Sequence, residues 1–201
     1  MQTNKKYLFV SFIIVLTLSS FTIESNQDSS DRFVVVLDAG HGGHDPGNLG
    51  NGFKEKNIAL KVILEIGKEL EKNPSIKVIY TRKTDVFVTL RGRAKIANEA
   101  DADLFVSVHC NAHHSQAHGT ETFVLGVANT QRNLEIAKKE NEVIFLEEDY
   151  EKHYDGFDPN SPESTIGLTL MQEEYVDQSI LLASLIENNF TNKLKRKSRG
   201  V

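Results

Sequence analysis

Apolar positions follow two different periods along this chain. In FVVVLD, residues 33 to 38, they run on without alternating, which fits a strand buried on both faces as in a parallel sheet. From Asn57 to Asn73 they recur as Ala59, Ile63, Ile66 and Leu70, which is a helical spacing, and Pro74 lies just past the end. IKVIYTR (76 to 82) reads as a second strand, and residues 89 to 99 as a helix with Thr89 as its N-cap. ADLFVSVHCNA (102 to 112) predicts a third strand and GTETFVL (119 to 125) a fourth. Residues 129 to 147 are charged and helical in pattern, and 148 to 162 are turn-rich without a clear period. A long last helix is predicted next, with Ser161 and Pro162 at its start and a stripe of Leu168, Met171, Tyr175, Leu182 and Leu185. Strands alternating with helices in this order imply an α/β layered sheet.

The first twenty residues carry a different pattern. Lys5 and Lys6 precede an apolar run from Tyr7 to Leu18, and a small polar lead extends to residue 32. A basic start and an apolar run short for a membrane span predict a secretory signal peptide over 1 to 20, with an uncleaved N-terminal anchor as the alternative. Cleavage is expected between Ser19 and Gln27, leaving an exported chain, periplasmic or secreted, with no membrane anchor. The absence of cysteine there argues against a lipoprotein. Loss of two lysines and no acid shifts the net charge from -5 to -7, which excludes charge-driven binding to nucleic acid or an anionic membrane. Cys110 is the sole cysteine, so no internal disulfide is available to staple the domain expected over 33 to 201.

The densest chemistry lies between the first strand and the first long helix. Residues 38 to 52 hold six glycines, two histidines and a proline. His41 lies three residues past Asp38, Glu55 stands at the helix entry, and His109 ends the third strand after LFVSV. In open α/β sheets, sites form beyond the carboxyl ends of the strands, so these three side chains can meet at one sheet edge. Two neutral imidazoles and a carboxylate, with one position left to water, make a catalytic zinc set. The glycines would let the loop fold tightly enough for Glu55 to approach His41. A phosphate cradle is the rival reading of the loop, but the spacing is that of neither a P-loop nor a dinucleotide fingerprint.

Four ordered segments, VVLDAGHGGHDPGNLG with KEKNIAL, TRKTDVFVTLRGRAKIAN, ADLFVSVHCNAHH and GTETFVL, resemble the zinc-dependent N-acetylmuramoyl-L-alanine amidases of bacterial cell walls. The resemblance runs in register over 33 to about 125 and more loosely beyond. It implies a mixed, mainly parallel sheet flanked by helices on both faces, with zinc held by His41, Glu55 and His109. It also implies peptidoglycan as substrate, cleavage of the bond between N-acetylmuramic acid and L-alanine, and in some members a protein activator. Members carry a general acid/base glutamate on a later strand of pattern VLVExGFxxN. That pattern does not occur in these 201 residues, so the catalytic domain is expected to be C-terminally incomplete, with Glu121 as a weak substitute. Two alternatives remain: a zinc peptidase on free peptides, and a peptidoglycan-binding remnant without catalysis.

The remaining polar residues get more modest expectations. Asp38 is expected to orient His41 or to bond the loop, and His44 and Asn111 to line the cleft on the substrate side. His113, His114 and His118 read as a polar rim, and Arg82, Asp85 and Arg91 as an ion-pair scaffold. Cys110 should point away from His109 as a buried thiol. The basic run 193 to 199 reads as a solvated helix end, and residues 129 to 175 as either a cover over the site or a scaffold helix.

Overall fold

The computed structural model describes residues 32 to 111, 117 to 124, 144, 146, 147 and 175 to 201. The chain divides into Met1–Arg32 and Phe33–Val201, and every element named below belongs to the second unit. The expected signal peptide, residues 129 to 143 of the expected 129 to 147 helix, the turn-rich piece after Glu147, the expected start of the last helix at Ser161 and Pro162 with Leu168 and Met171 of its stripe, and His113 and His114 lie outside the described residues.

Strand β1 (Phe33–Ala39) is the centre of the sheet, and its last five residues are buried. A short hairpin comes next, β2 (Leu49–Gly50) paired antiparallel with β3 (Phe53–Lys54). Then come α1 (Glu55–Leu70), β4 (Ile76–Tyr80), α2 (Leu90–Glu99), β5 (Leu104–Val108) and α3 (Val176–Asn192). The main sheet has the order β4-β1-β5 and is parallel throughout. Chain order and sheet order together place the helices. The β1-to-β4 crossover runs one way along the sheet and the β4-to-β5 crossover runs back past β1. Parallel crossovers are right-handed, so α1 and α2 must cover opposite faces.

The side chains agree with that geometry. Val35, Leu37 and Ala39 point to one face and pack with Ala59 and Ile63 of α1, with Ile66 and Leu70 at the margin. All four residues of the predicted helical stripe therefore meet the core. Leu37 and Ile63 are completely buried, and burying each stabilises the fold by about 1.5–3 kcal/mol. The opposite face carries Asp38, which pairs with Arg93 of α2 at 2.5 Å. Thr89 caps α2 by accepting the Gly92 N–H at 3.0 Å, as the sequence predicts.

Three expectations need correction. GTETFVL is not a strand over its described part: Thr120 makes one parallel bridge to Ser198, and Thr122 N–H donates to Gly200 O. The basic tail accordingly is not only a solvated end. Lys193 to Lys197 are exposed, but Ser198 and Arg199 turn in and are half-buried. In α3 the buried positions are Ala183 and Glu187; of the described stripe residues, Leu182 is half-buried, while Leu185 and Tyr175, just before the helix, are exposed. The stripe misleads there because the helix buries a carboxylate: Glu187 accepts the hydroxyls of Thr120 at 3.2 Å and Thr122 at 2.7 Å, and hydropathy counts such a position as polar.

Candidate metal centre

Register explains why His41 and His109 are neighbours. Ala39 is paired with Val108, and Gly40 N–H continues the ladder to Val108 O at 3.1 Å. Both histidines therefore leave the sheet at the same edge. Their rings meet edge to face, with centroids 4.9 Å apart. Gly40 makes this approach possible, because a Cβ there would collide with the His109 ring.

Glu55 arrives from the third side, at the first turn of α1, where a carboxylate suits the helix dipole. Its Oε1 lies 3.2 Å from His41 Nε2 and 3.2 Å from His109 Nδ1. Ligand atoms of the three residues all lie within 4.8 Å of one another. The hairpin β2–β3 brings Glu55 back over the loop, and Gly47 at φ +65 lets it pass: a Cβ there would sit 2.6 Å from the His41 ring and 2.8 Å from Glu55 Cβ.

The carboxylate is fully buried yet well supplied with donors. Cys110 N–H donates to Oε1 at 2.6 Å, and the backbone and side chain of Asn48 both donate to Oε2 at 2.8 Å. Burial alone would raise the Glu55 pKa, but the hydrogen bonds from His109, His41, Cys110 and Asn48 outweigh it and hold the group well below the usual carboxylate range. For His41, burial lowers the pKa, while its bonds to Glu55 and Asp45 outweigh that and leave the imidazole raised above 6.5. The cluster thus favours a charged carboxylate, and His41 is pulled toward its cationic form by the same neighbours.

Asp45 takes the role expected of Asp38. It lies 2.7 Å from His41 Nδ1 and leaves Nε2 directed at Glu55, the arrangement by which a carboxylate sets a histidine tautomer. Asp38 instead accepts from Thr81 Oγ1, Arg93 and Ser107 Oγ, all at 2.5–2.7 Å. It is linked to His41 through Arg93, whose Nη2 donates to the His41 carbonyl at 2.9 Å.

The supposed ion-pair scaffold is mainly a set of carbonyl clamps. Buried Arg82 donates to Ala39 O, Gly40 O and Lys56 O at 2.7–2.9 Å. Lys56 Nζ holds Gly43 O at 2.7 Å and pairs with Asp85 at 2.6 Å. The buried arginine of α2 is Arg93, whereas Arg91 lines a separate groove with His44, Phe87 and Lys95. His44 is exposed there, its ring 4.2 Å from that of Phe87. Asn111 is exposed and donates to Glu121 Oε2 at 3.3 Å, and Arg199 holds Glu121 Oε1 at 2.8 Å. His118 is exposed, in keeping with a rim. Cys110 is half-buried, and the site uses its backbone: N–H on Glu55 and C=O accepting Asn48 Nδ2 at 2.7 Å. Asp45, Asn48, Lys56 and Arg93 are the site residues that sequence reasoning missed. Only DPGN, an asparagine just after a turn, hinted at any of them.

The family model described as N-acetylmuramoyl-L-alanine amidase matches residues 35–201. The endolysin of Bacillus phage SPP1 is 52% identical over 79 residues, covering 39% of this chain and 29% of that protein. The amidase AmiA of Escherichia coli (strain K12) is 39% identical over 99 residues, covering 48% of this chain and 34% of that protein. The solved catalytic domain of CwlV, an N-acetylmuramoyl-L-alanine amidase from Bacillus (Paenibacillus) polymyxa var. colistinus, is 27% identical. It covers 82% of this chain and 99% of that one, with a TM-score of 0.46. This chain spans well under two thirds of the length of each of these two curated relatives.

The clamp under the loop generates a stability test. Arg93→Met removes the cation from a pair whose side chains are 7% and 4% exposed, leaving Asp38 buried on its two hydroxyl donors. Urea denaturation of the metal-free chain should show a loss of about 3–5 kcal/mol, the usual cost of breaking a buried pair from one side. A loss below about 1 kcal/mol, the scale of a surface pair, would show that Arg93 contributes no more than one.

Proposed function

Given that the chain belongs to the N-acetylmuramoyl-L-alanine amidase family, we propose that His41, Glu55 and His109 hold one zinc ion and that this site serves hydrolysis of the amide between N-acetylmuramic acid and L-alanine in peptidoglycan. The convergence of the three ligand atoms within 4.8 Å carries the reading. Two imidazole nitrogens and one carboxylate oxygen fit a tetrahedral zinc with its fourth position left to water. Zinc bound there would polarise the amide carbonyl and bring the pKa of its water toward neutrality.

The protein's own part is positioning. Asp45 keeps the Nδ1 proton on His41 so that Nε2 is the ligand atom. Asn48 and the Cys110 N–H orient both Glu55 oxygens before any ion arrives. Hydrolysis also needs a carboxylate to carry the water's proton to the leaving amine. Glu121 is poorly suited, since Arg199 and Asn111 already engage its oxygens, and we assign it to joining the His109 segment to the tail. An exported, wall-facing location accompanies this proposal; among the described residues no helix is long and apolar enough to cross a membrane.

Purified chain should bind one zinc by metal analysis, and His41→Ala or His109→Ala should abolish it. Asp45→Asn should keep the stoichiometry but weaken affinity about 10- to 100-fold, as for other partners of ligating histidines. Undiminished binding in both alanine variants would refute the ligand assignment.

The pH dependence derives from His41. Because its pKa in the metal-free fold is raised above 6.5, protons compete with zinc from above that value downward, and zinc affinity should fall as pH drops through this window. In the metal-free chain the same shift acts oppositely on stability. Its contribution is fully present below 6.5 and is lost as pH rises through the raised folded pKa. Zinc competition and thermal melts across about pH 5.5 to 8.5 should therefore trend in opposite directions over that range.

Substrate class is tested by incubating the zinc-loaded chain with muropeptides and with the matching free peptides. Release of the peptide from the sugar, with free peptides left intact, is the expected result. Cleavage of free peptides at comparable rates would replace the amidase reading with that of a zinc peptidase.

A further inference from the structure

Resting on the peptidoglycan reading above, we propose that Phe53 is a substrate-binding residue, its ring receiving the apolar face of the muramyl sugar beside the scissile amide. Phe53 is 66% exposed on β3. The hairpin that carries it is tightly defined. Asn51 and Gly52, its two central residues, both adopt positive φ, 49° and 81°, as the favoured two-residue hairpin turn requires. Both of its ends are fastened to the metal centre, by Asn48 donating to Glu55 and by Glu55 N–H donating to Asn48 O at 3.0 Å.

Backbone geometry decides which way the ring faces. Lys54, between Phe53 and Glu55, is extended at φ -113°, ψ 131°. In extended chain, residues two apart share a face and lie about 7 Å apart. Phe53 therefore shares the side of the strand on which Glu55 meets His41 and His109. Leu49, paired with Lys54, falls on the opposite side with nearly the same exposure, 68%.

The sugar is the part of the substrate that suits this ring. With the amide at the three ligands, the lactyl arm places the muramyl pyranose one side chain away. A pyranose presents a face of C–H groups, which the electron-rich face of an aromatic ring attracts. A peptide backbone has planar units too, but their faces are polar amides and not a saturated ring's array of C–H groups.

The test measures retention of the whole zinc-loaded chain on insoluble peptidoglycan sacculi, with muramyl dipeptide and sugar-free stem peptide as soluble competitors. Phe53→Ala should weaken retention about three- to tenfold, the scale of one aromatic contact. Phe53→Tyr should retain it, Leu49→Ala should leave it unchanged, and all variants should still bind one zinc. Equal losses in the Leu49 and Phe53 variants would reveal general stickiness and overturn the proposal. Unchanged retention in Phe53→Ala, zinc loss in that variant, or equal competition by the sugar-free peptide would overturn it too. If the unsubstituted chain binds zinc but is not retained at all, the peptidoglycan reading itself falls and takes this one with it.

Discussion

The convergence of His41, Glu55 and His109 depends on the loop after β1 being held by its backbone carbonyls. Arg82 holds Ala39 O and Gly40 O, Arg93 holds Ala39 O and His41 O, and Lys56 holds Gly43 O. These cations fix a winding path that no regular secondary structure would maintain. The loop needs such restraint, because His41 sits at φ 60°, a left-handed conformation that is uncommon for a residue with a Cβ. Carbonyl dipoles alone are poor counter-charges, so Asp38 under Arg93 and Asp85 beside Lys56 complete the neutralisation.

This explains why a motif so rich in glycine can be rigid. Glycine at 40 and 47 supplies clearance for the His109 ring and for Glu55, not mobility. The freedom it would otherwise bring is removed by charged hydrogen bonds from the segment just after β4, from α1 and from α2. Each major element of the main sheet contributes: β1 and β5 present the histidines, α1 presents Glu55 and Lys56, and the segment just after β4 together with α2 presents the arginines.

The same arrangement concentrates negative potential between two imidazoles. Glu55 remains a carboxylate because His109, His41, Cys110 and Asn48 surround it with donors, and Asp45 adds a second charge behind His41. A cation that favours nitrogen and oxygen ligands finds them already gathered, so little reorganisation is needed when it binds. The cost falls on the metal-free chain, in which His41 turns to a proton for compensation.

Much of this was legible from residue order. Uninterrupted hydrophobicity predicted β1, the 59-63-66-70 spacing predicted the buried face of α1, and Thr89 predicted the cap of α2, because each is a local consequence of period or of one side chain. The convergence of His41, Glu55 and His109 was also legible, since strand ends in an α/β sheet share an edge. The hairpin over Asn51 and Gly52 was overlooked although Asn-Gly is a strong local signal; its strands are only two residues long, too short to show alternation. What no local pattern could decide was who touches whom. Asp45 rather than Asp38 orients His41, Arg93 rather than Arg91 is buried, Glu187 lies inward on a helix read by its leucines, and the tail pairs beside Thr120. In β1 and α1 the hydrophobic period determines which face is covered. Partners of polar groups depend on distances between elements far apart in the chain, and those distances exist only once the sheet has assembled.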